Sequence, residues 1–93
     1  MKKKYFDLNG QVAVITGCST GLGVQMAKAL ANQGANIVAI ARRKELIEKV
    51  AAEIKKEFAV EAIAVQCDIT DTKRVESAVD EIIAKFGRID ILI

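Results

Sequence analysis

The eight residues Thr16-Gly17-Cys18-Ser19-Thr20-Gly21-Leu22-Gly23 run from an apolar stretch, Val12-Ala13-Val14-Ile15, straight into a segment of helical period. That setting gives the three glycines a chemical reading. One glycine can turn the chain sharply, one can let the backbone approach a phosphate closely, and one can let the helix pack hard against the sheet, while the free amides of the helix N-terminus favour an anion. Ser19 and Thr20 add hydroxyls able to donate to the same phosphate or to a ribose. The bland alternative is a tight strand-to-helix turn with no ligand; the strand-turn-helix context favours phosphate or dinucleotide binding.

Such a loop needs a frame, and the hydrophobic pattern supplies one. Val12 to Ile15, Ile37-Val38-Ala39-Ile40, Ala62-Ile63-Ala64-Val65 and Ile89 to Ile93 are short apolar runs in which Asp90 is the one polar interruption. Runs of this kind, rich in β-branched residues and without polar alternation, suit strands covered on both faces. Between them the period becomes helical. Val24, Ala27 and Leu30-Ala31 lead to the stop signal Gly34; Leu46, Ile47, Val50, Ala51, Ile54 and Phe58 form a second stripe; Val75, Ala78, Val79, Ile82, Ile83 and Phe86 form a third, stopped by Gly87. Thr70 or Asp71 can cap the third helix, Asp71 being favoured also by the helix dipole.

The pattern β-α-β-α-β-α-β predicts an α/β fold with a doubly wound parallel sheet. In the common order the four strands lie 3-2-1-4, with the first two helices on one face and the third on the other because crossovers are right-handed. The switch point then falls between the first and last strands, where the residues after Ile15 emerge and where such sheets bind ligands.

Length and composition bound the rest. A chain of 93 residues, 52% hydrophobic and 28% charged with no proline, is one small globular domain at most. At that size independent stability is marginal, so the chain is expected to be part of something larger. Lys2, Lys3 and Lys4 account for the basic balance: with them set aside the net charge of +2 becomes −1. Without a clustered basic face or aromatic stacking platforms, no nucleic-acid partner is expected. No apolar core follows the lysines as in a secretory signal, and no stretch is long enough to span a membrane, which leaves a cytoplasmic protein as the expectation. Cys18 and Cys67 end the first and third strands, about two strand spacings or ~9–10 Å apart, beyond the reach of a disulfide. Both read as reduced thiols. With no histidine and no cluster of Cys or carboxylates at ligand spacing, neither a metal site nor a hydrolytic triad is expected.

Thr16-Gly17-x-x-x-Gly21-x-Gly23, preceded by Leu8-x-Gly10-x-Val12-Ala13-Val14-Ile15, resembles the opening of a short-chain dehydrogenase/reductase, whose signature is TGxxxGxG. The likeness continues through Asn32-x-Gly34-Ala35, Cys67-Asp68-Ile69-Thr70-Asp71 and Phe86-Gly87-Arg88-Ile89-Asp90-Ile91-Leu92-Ile93. The resemblance implies a Rossmann-type half domain over residues 10–93, ending after its fourth strand, behind a basic tail at 1–9. It further implies that Gly17, Cys18, Ser19, Thr20, Gly21, Leu22 and Gly23 cradle the cofactor, that Asp68 accepts from the adenine amino group, and that Ile69 borders the ring. Asp68 has another reading, as a carboxylate capping the turn that follows it.

The family's Asn-Asn-Ala-Gly segment, its Ser and its Tyr-x-x-x-Lys pair have no counterpart here, and the single tyrosine, Tyr5, has Asn9 rather than a lysine four residues on. No catalytic residue is therefore assigned, and the 93-residue chain by itself is expected to be inactive. Cofactor choice is read at the end of the second strand, where an NAD enzyme usually places an acid for the ribose 2′-hydroxyl. This chain has Ala41 there, followed by Arg42, Arg43 and Lys44. A carboxylate would repel a 2′-phosphate, whereas a guanidinium fork grips one, so NADP is expected over NAD, with Arg42 foremost because it directly follows the family's discriminating position. The expectation is thus the NADP(H)-binding portion of an oxidoreductase acting on an alcohol or carbonyl. The alternative is a nucleotide-binding or self-associating module without turnover. A homo-oligomer, or pairing with a missing C-terminal segment, is expected because the fourth strand would be an apolar edge.

Overall fold

The computed structural model of the chain describes residues 7–19 and 21–93. Lys2, Lys3, Lys4, Tyr5 and Thr20 lie outside the described residues. Along the chain come β1 (Val12–Thr16), α1 (Gly21–Asn32), β2 (Asn36–Ala41), α2 (Lys44–Phe58), β3 (Ala62–Gln66), α3 (Thr72–Phe86) and β4 (Ile91–Leu92). All pairings are parallel and the strand order is β3-β2-β1-β4, the expected doubly wound arrangement.

Alternation along the strands divides the core in two. Ala13, Ile15, Ile37 and Ala39 point to the face covered by α1 and α2, where they pack with Ala27, Ala31, Ile47, Val50, Ala51 and Ile54. Val12, Val14, Val38 and Ile40 point to the opposite face and pack with Ala78 and Ile82 of α3. Strands buried on both sides cannot alternate apolar with polar residues, which is why these read as continuous apolar runs. Alanines at 13, 27, 31 and 39 keep α1 close to the sheet. Among the described residues no helix is long and apolar enough to cross a membrane.

Two expectations need correction. The apolar stripe of α3 is narrower than its sequence suggests: Val79 and Ile83 are exposed, because among the described residues α3 is the one helix packed on this face. Strand β4 is also shorter than the run Ile89 to Ile93, and its start is fixed by side-chain chemistry as well as by the Asp90 amide, which donates to the Val12 carbonyl at 2.9 Å. The Asp90 carboxylate turns back to accept the Val12 amide at 2.8 Å. It also receives Nε and Nη2 of Arg88 at 2.8 and 2.7 Å, a bidentate pair. At the N-terminus of α3, Asp71 is the cap, its side chain accepting from the Arg74 amide at 3.2 Å. Gly87 closes the helix in the left-handed conformation and donates to the Ile83 carbonyl at 2.8 Å.

The Arg88 hydrogen bonds first, then the Val12 amide, hold the Asp90 carboxyl below the ordinary carboxylate range. A depressed folded-state pKa contributes stability above the unfolded value of about 3.9, and that stability is lost as pH falls through the folded value. Asp90→Asn should therefore be less stable than the parent at neutral pH, with the gap closing on acidification below about pH 4. Urea unfolding at a series of pH values checks this; a gap that stays constant through the acid range would overturn it.

Candidate functional site

At the switch point the ends of three strands are tied together. Thr16 donates to the Ile93 carbonyl from both its amide and its hydroxyl, at 2.8 and 2.9 Å, so the last residue of β1 holds the end of the β4 segment. Two residues on, the Cys18 amide donates to the Ile40 carbonyl at 3.1 Å and draws the loop toward β2. Gly17 and Gly21 have φ of +65° and +60°, conformations that L side chains rarely adopt, and a Cβ built on either would meet nothing within 4 Å. The loop backbone is thus open on that side, as the cradling of an anion requires. Gly23 answers a different demand: a Cβ there would stand 2.7 Å from the Gly17 carbonyl oxygen, so only glycine lets α1 sit this close to the loop.

Cys18 is fully buried beneath the loop, its Sγ 3.7 Å from the Gly23 carbonyl oxygen. Burial pushes its thiol pKa up, which suits an uncharged donor to that carbonyl and not a nucleophile. Both cysteines are free.

A groove of about 450 Å³ opens beside the loop. Gly17 and Ser19 form one wall, Ile40 to Arg43 a second, and Cys67 to Thr70 a third. Six residues singled out from sequence thus meet in one place: Gly17, Ser19, Arg42, Arg43, Asp68 and Ile69. Cys18, Gly21, Leu22 and Gly23 do not line the groove; they form the floor of the loop and the first turn of α1. Thr20, singled out with them, lies outside the described residues. Ile40, Cys67 and Thr70 also line the groove, and the signal that could have found them is simply that they end or follow β2 and β3 on the ligand side of the sheet.

The groove's charges are two exposed guanidiniums and one carboxylate. Arg43 is the N-cap residue of α2 without a side-chain cap, and its Nε is 3.8 Å from Glu45, an acid in the first turn that offsets the crowding of cations there. Asp68 does cap its turn: Oδ1 accepts the Thr70 amide at 3.0 Å and the Thr70 hydroxyl at 2.7 Å. These bonds, with a smaller contribution from the Arg42 charge, hold its carboxyl below the usual range, so it is an acceptor at neutral pH. Its second oxygen has no partner among the described residues. Among those residues there is also no group of three or more metal-ligating side chains.

A family model described as short chain dehydrogenase matches residues 11–93. D-threitol dehydrogenase of Mycolicibacterium smegmatis is 39% identical over 88 residues, a match taking in 95% of this chain and 34% of the relative. A metagenomic short-chain oxidoreductase solved in complex with NADP superposes with a TM-score of 0.86 at 36% identity, over 92% of this chain and 38% of the other. NAD+-bound xylitol dehydrogenase superposes with a TM-score of 0.87 at 34% identity, over 91% and 32%. The chain spans about a third of the length of each of these three proteins.

The packing of Gly23 against Gly17 yields a direct test. Gly23→Ala must displace backbone, an overpacking cost of roughly 1–3 kcal/mol, and should lower the unfolding midpoint while weakening binding of a dinucleotide. Thermal unfolding and a dye-displacement titration measure both; an unchanged midpoint would mean that the close approach is not needed.

Proposed function

The chain belongs to the short-chain dehydrogenase family, and on that premise we propose that it is the NADP(H)-binding portion of an oxidoreductase that moves a hydride between nicotinamide and an alcohol or carbonyl substrate. The observation that carries the cofactor choice is the β2 end of the groove, where Ala41 takes the acid's place and Arg42 and Arg43 follow. The NADP-bound structural neighbour supports this reading; the NAD+-bound one keeps NAD as the alternative.

The residues fit such a cofactor. The open backbone at Gly17 and Gly21 and the amides at the start of α1 suit the pyrophosphate, with Cys18, Ser19, Thr20, Leu22 and Gly23 completing the loop. Arg42 and Arg43 hold the 2′-phosphate as charge-assisted donors. Asp68 keeps one oxygen on Thr70 and offers the other to the adenine amino group, beside exposed Ile69. When bound, the cofactor supplies the hydride; this chain's residues bind it, orient it and take no part in proton transfer. Two free, buried cysteines fit a reducing compartment, which supports a cytoplasmic location as part of this reading.

A specific feature also supports self-association. Ile69, Val79, Ile83, Ile89, Leu92 and Ile93 are exposed along the α3 and β4 side, and Val79, Ile89 and Leu92 line an apolar groove of about 250 Å³. A contiguous exposed apolar patch of this kind marks an interface. The Asp90 carboxylate beside this edge is paired with Arg88 and turned toward Val12. The occupant is a second copy of this chain, its β4 pairing with the first to extend the sheet.

Arg42→Ala should weaken NADPH binding by roughly 1.5–3 kcal/mol, the range for a hydrogen bond to a charged group, with NADH hardly affected. Calorimetric titration of both cofactors decides it, and equal losses would count against NADP preference. For association, Leu92→Lys is the variant of choice: Leu92 is 71% exposed, whereas Ile91 is half-buried against the α1 face. Sedimentation at micromolar concentration should show the parent chain dimeric and the Leu92→Lys form shifted to monomer; a strictly monomeric parent would sink the idea.

A further inference from the structure

The β2–β3 ladder is in register as far as Ala41 opposite Gln66, with the Cys67 amide donating to the Ala41 carbonyl at 3.0 Å. Arg42 follows immediately, in the short connection to α2, and its own carbonyl is held by a side chain: Nε2 of Gln66 donates to it at 3.0 Å. Gln66 is held in turn. Nε of Arg74, in the first turn of α3, donates to the Gln66 carbonyl at 2.7 Å. The same guanidinium is braced by Ser77 at 3.3 Å and Glu81 at 2.8 Å, one and two turns further along the helix. Arg42, Gln66 and Arg74 also surround one hollow beside the main groove, together with Cys67 and Asp68. A continuous set of hydrogen bonds therefore runs from α3, through the end of β3, to the backbone of the residue that faces the proposed 2′-phosphate.

We infer that Gln66, seated by Arg74, is a positioning residue for cofactor selectivity. It fixes the peptide plane after Arg42 and thereby the direction in which that guanidinium leaves the strand end. A long, flexible arginine loses less freedom on binding when its backbone is already held, so the effect appears in affinity for the 2′-phosphate and not in affinity for the rest of the nucleotide. The inference rests on the reading of Arg42 given above, and its test separates the two.

The probes are adenosine 2′,5′-bisphosphate and 5′-AMP, which differ only in the 2′-phosphate, titrated against the 93-residue chain and against Gln66→Met, Arg42→Ala and the double variant. Gln66→Met keeps the side chain's length and removes the donor. It should weaken the bisphosphate by about threefold to tenfold, the worth of one hydrogen bond, leave 5′-AMP unchanged, and have no further effect once Arg42 is alanine. Gln66→Thr, too short to reach the Arg42 carbonyl, gives the same readout if the Met form unfolds. Equal weakening of both ligands would reduce Gln66 to a structural role, and an undiminished loss in the Arg42→Ala background would mean that it does not act through Arg42; either overturns the inference. If Arg42→Ala itself leaves the discrimination intact, the Arg42 reading fails, and this inference with it.

Discussion

Strand β1, like β2, has a strand on each edge and helices covering both faces, and Val12 to Ile15 are buried throughout. A polar side chain has no place in it until Thr16, where the strand leaves the core. That single exit concentrates the polar work of the fold. Thr16 spends its amide and its hydroxyl on the Ile93 carbonyl, and the Cys18 amide turns to the Ile40 carbonyl, so the residues just after β1 are tied to the ends of both neighbouring strands. The glycines at 17, 21 and 23 follow from this geometry: the chain must reverse toward α1 within a few residues while the helix is drawn against the loop it has just left.

What could be read in the sequence divides along the line between local and remote. Uninterrupted apolar runs such as Ile37 to Ile40 announce burial on both faces, and the change of period between them announces helices, so the order of elements was legible. The turn at Asp68 was legible too, because its partner is two residues away. Val79 and Ile83 were not, since they are chemically equivalent to buried Ile82 and their exposure depends on how many helices share the face. Nor was the role of Asp90, whose partner Val12 is 78 residues distant. Gln66 is the sharpest case: an exposed glutamine at a strand end has no meaning until the register sets it opposite Ala41.

The groove shows how unequal charges can share a small space. Asp68 is drawn into its turn by Thr70, so its charge is partly spent locally, while Arg42 and Arg43 are exposed at a strand end and a helix start, Arg43 3.8 Å from Glu45. The result is a rim able to receive a doubly charged anion on one side and a neutral heterocycle on the other. Cys18 contributes by being small, buried and protonated; a larger or ionised residue would push the loop away from α1.

The remoteness of β4 also governs the order in which the sheet can assemble. Gln66 and Arg42, joining β3 to the end of β2, are 24 residues apart, whereas Asp90 and Val12 are separated by 78. Closing the longer loop costs about 1 kcal/mol more in chain entropy, and the reward is a strand of two residues. β4 is therefore the last strand to join during folding and the first to leave in a local opening, so amide protons along it exchange with solvent ahead of those in β2. Because Thr16 is clasped to Ile93, each such opening also loosens the start of the glycine loop, and an anion seated there would be held or released in step with the most weakly anchored strand of the sheet.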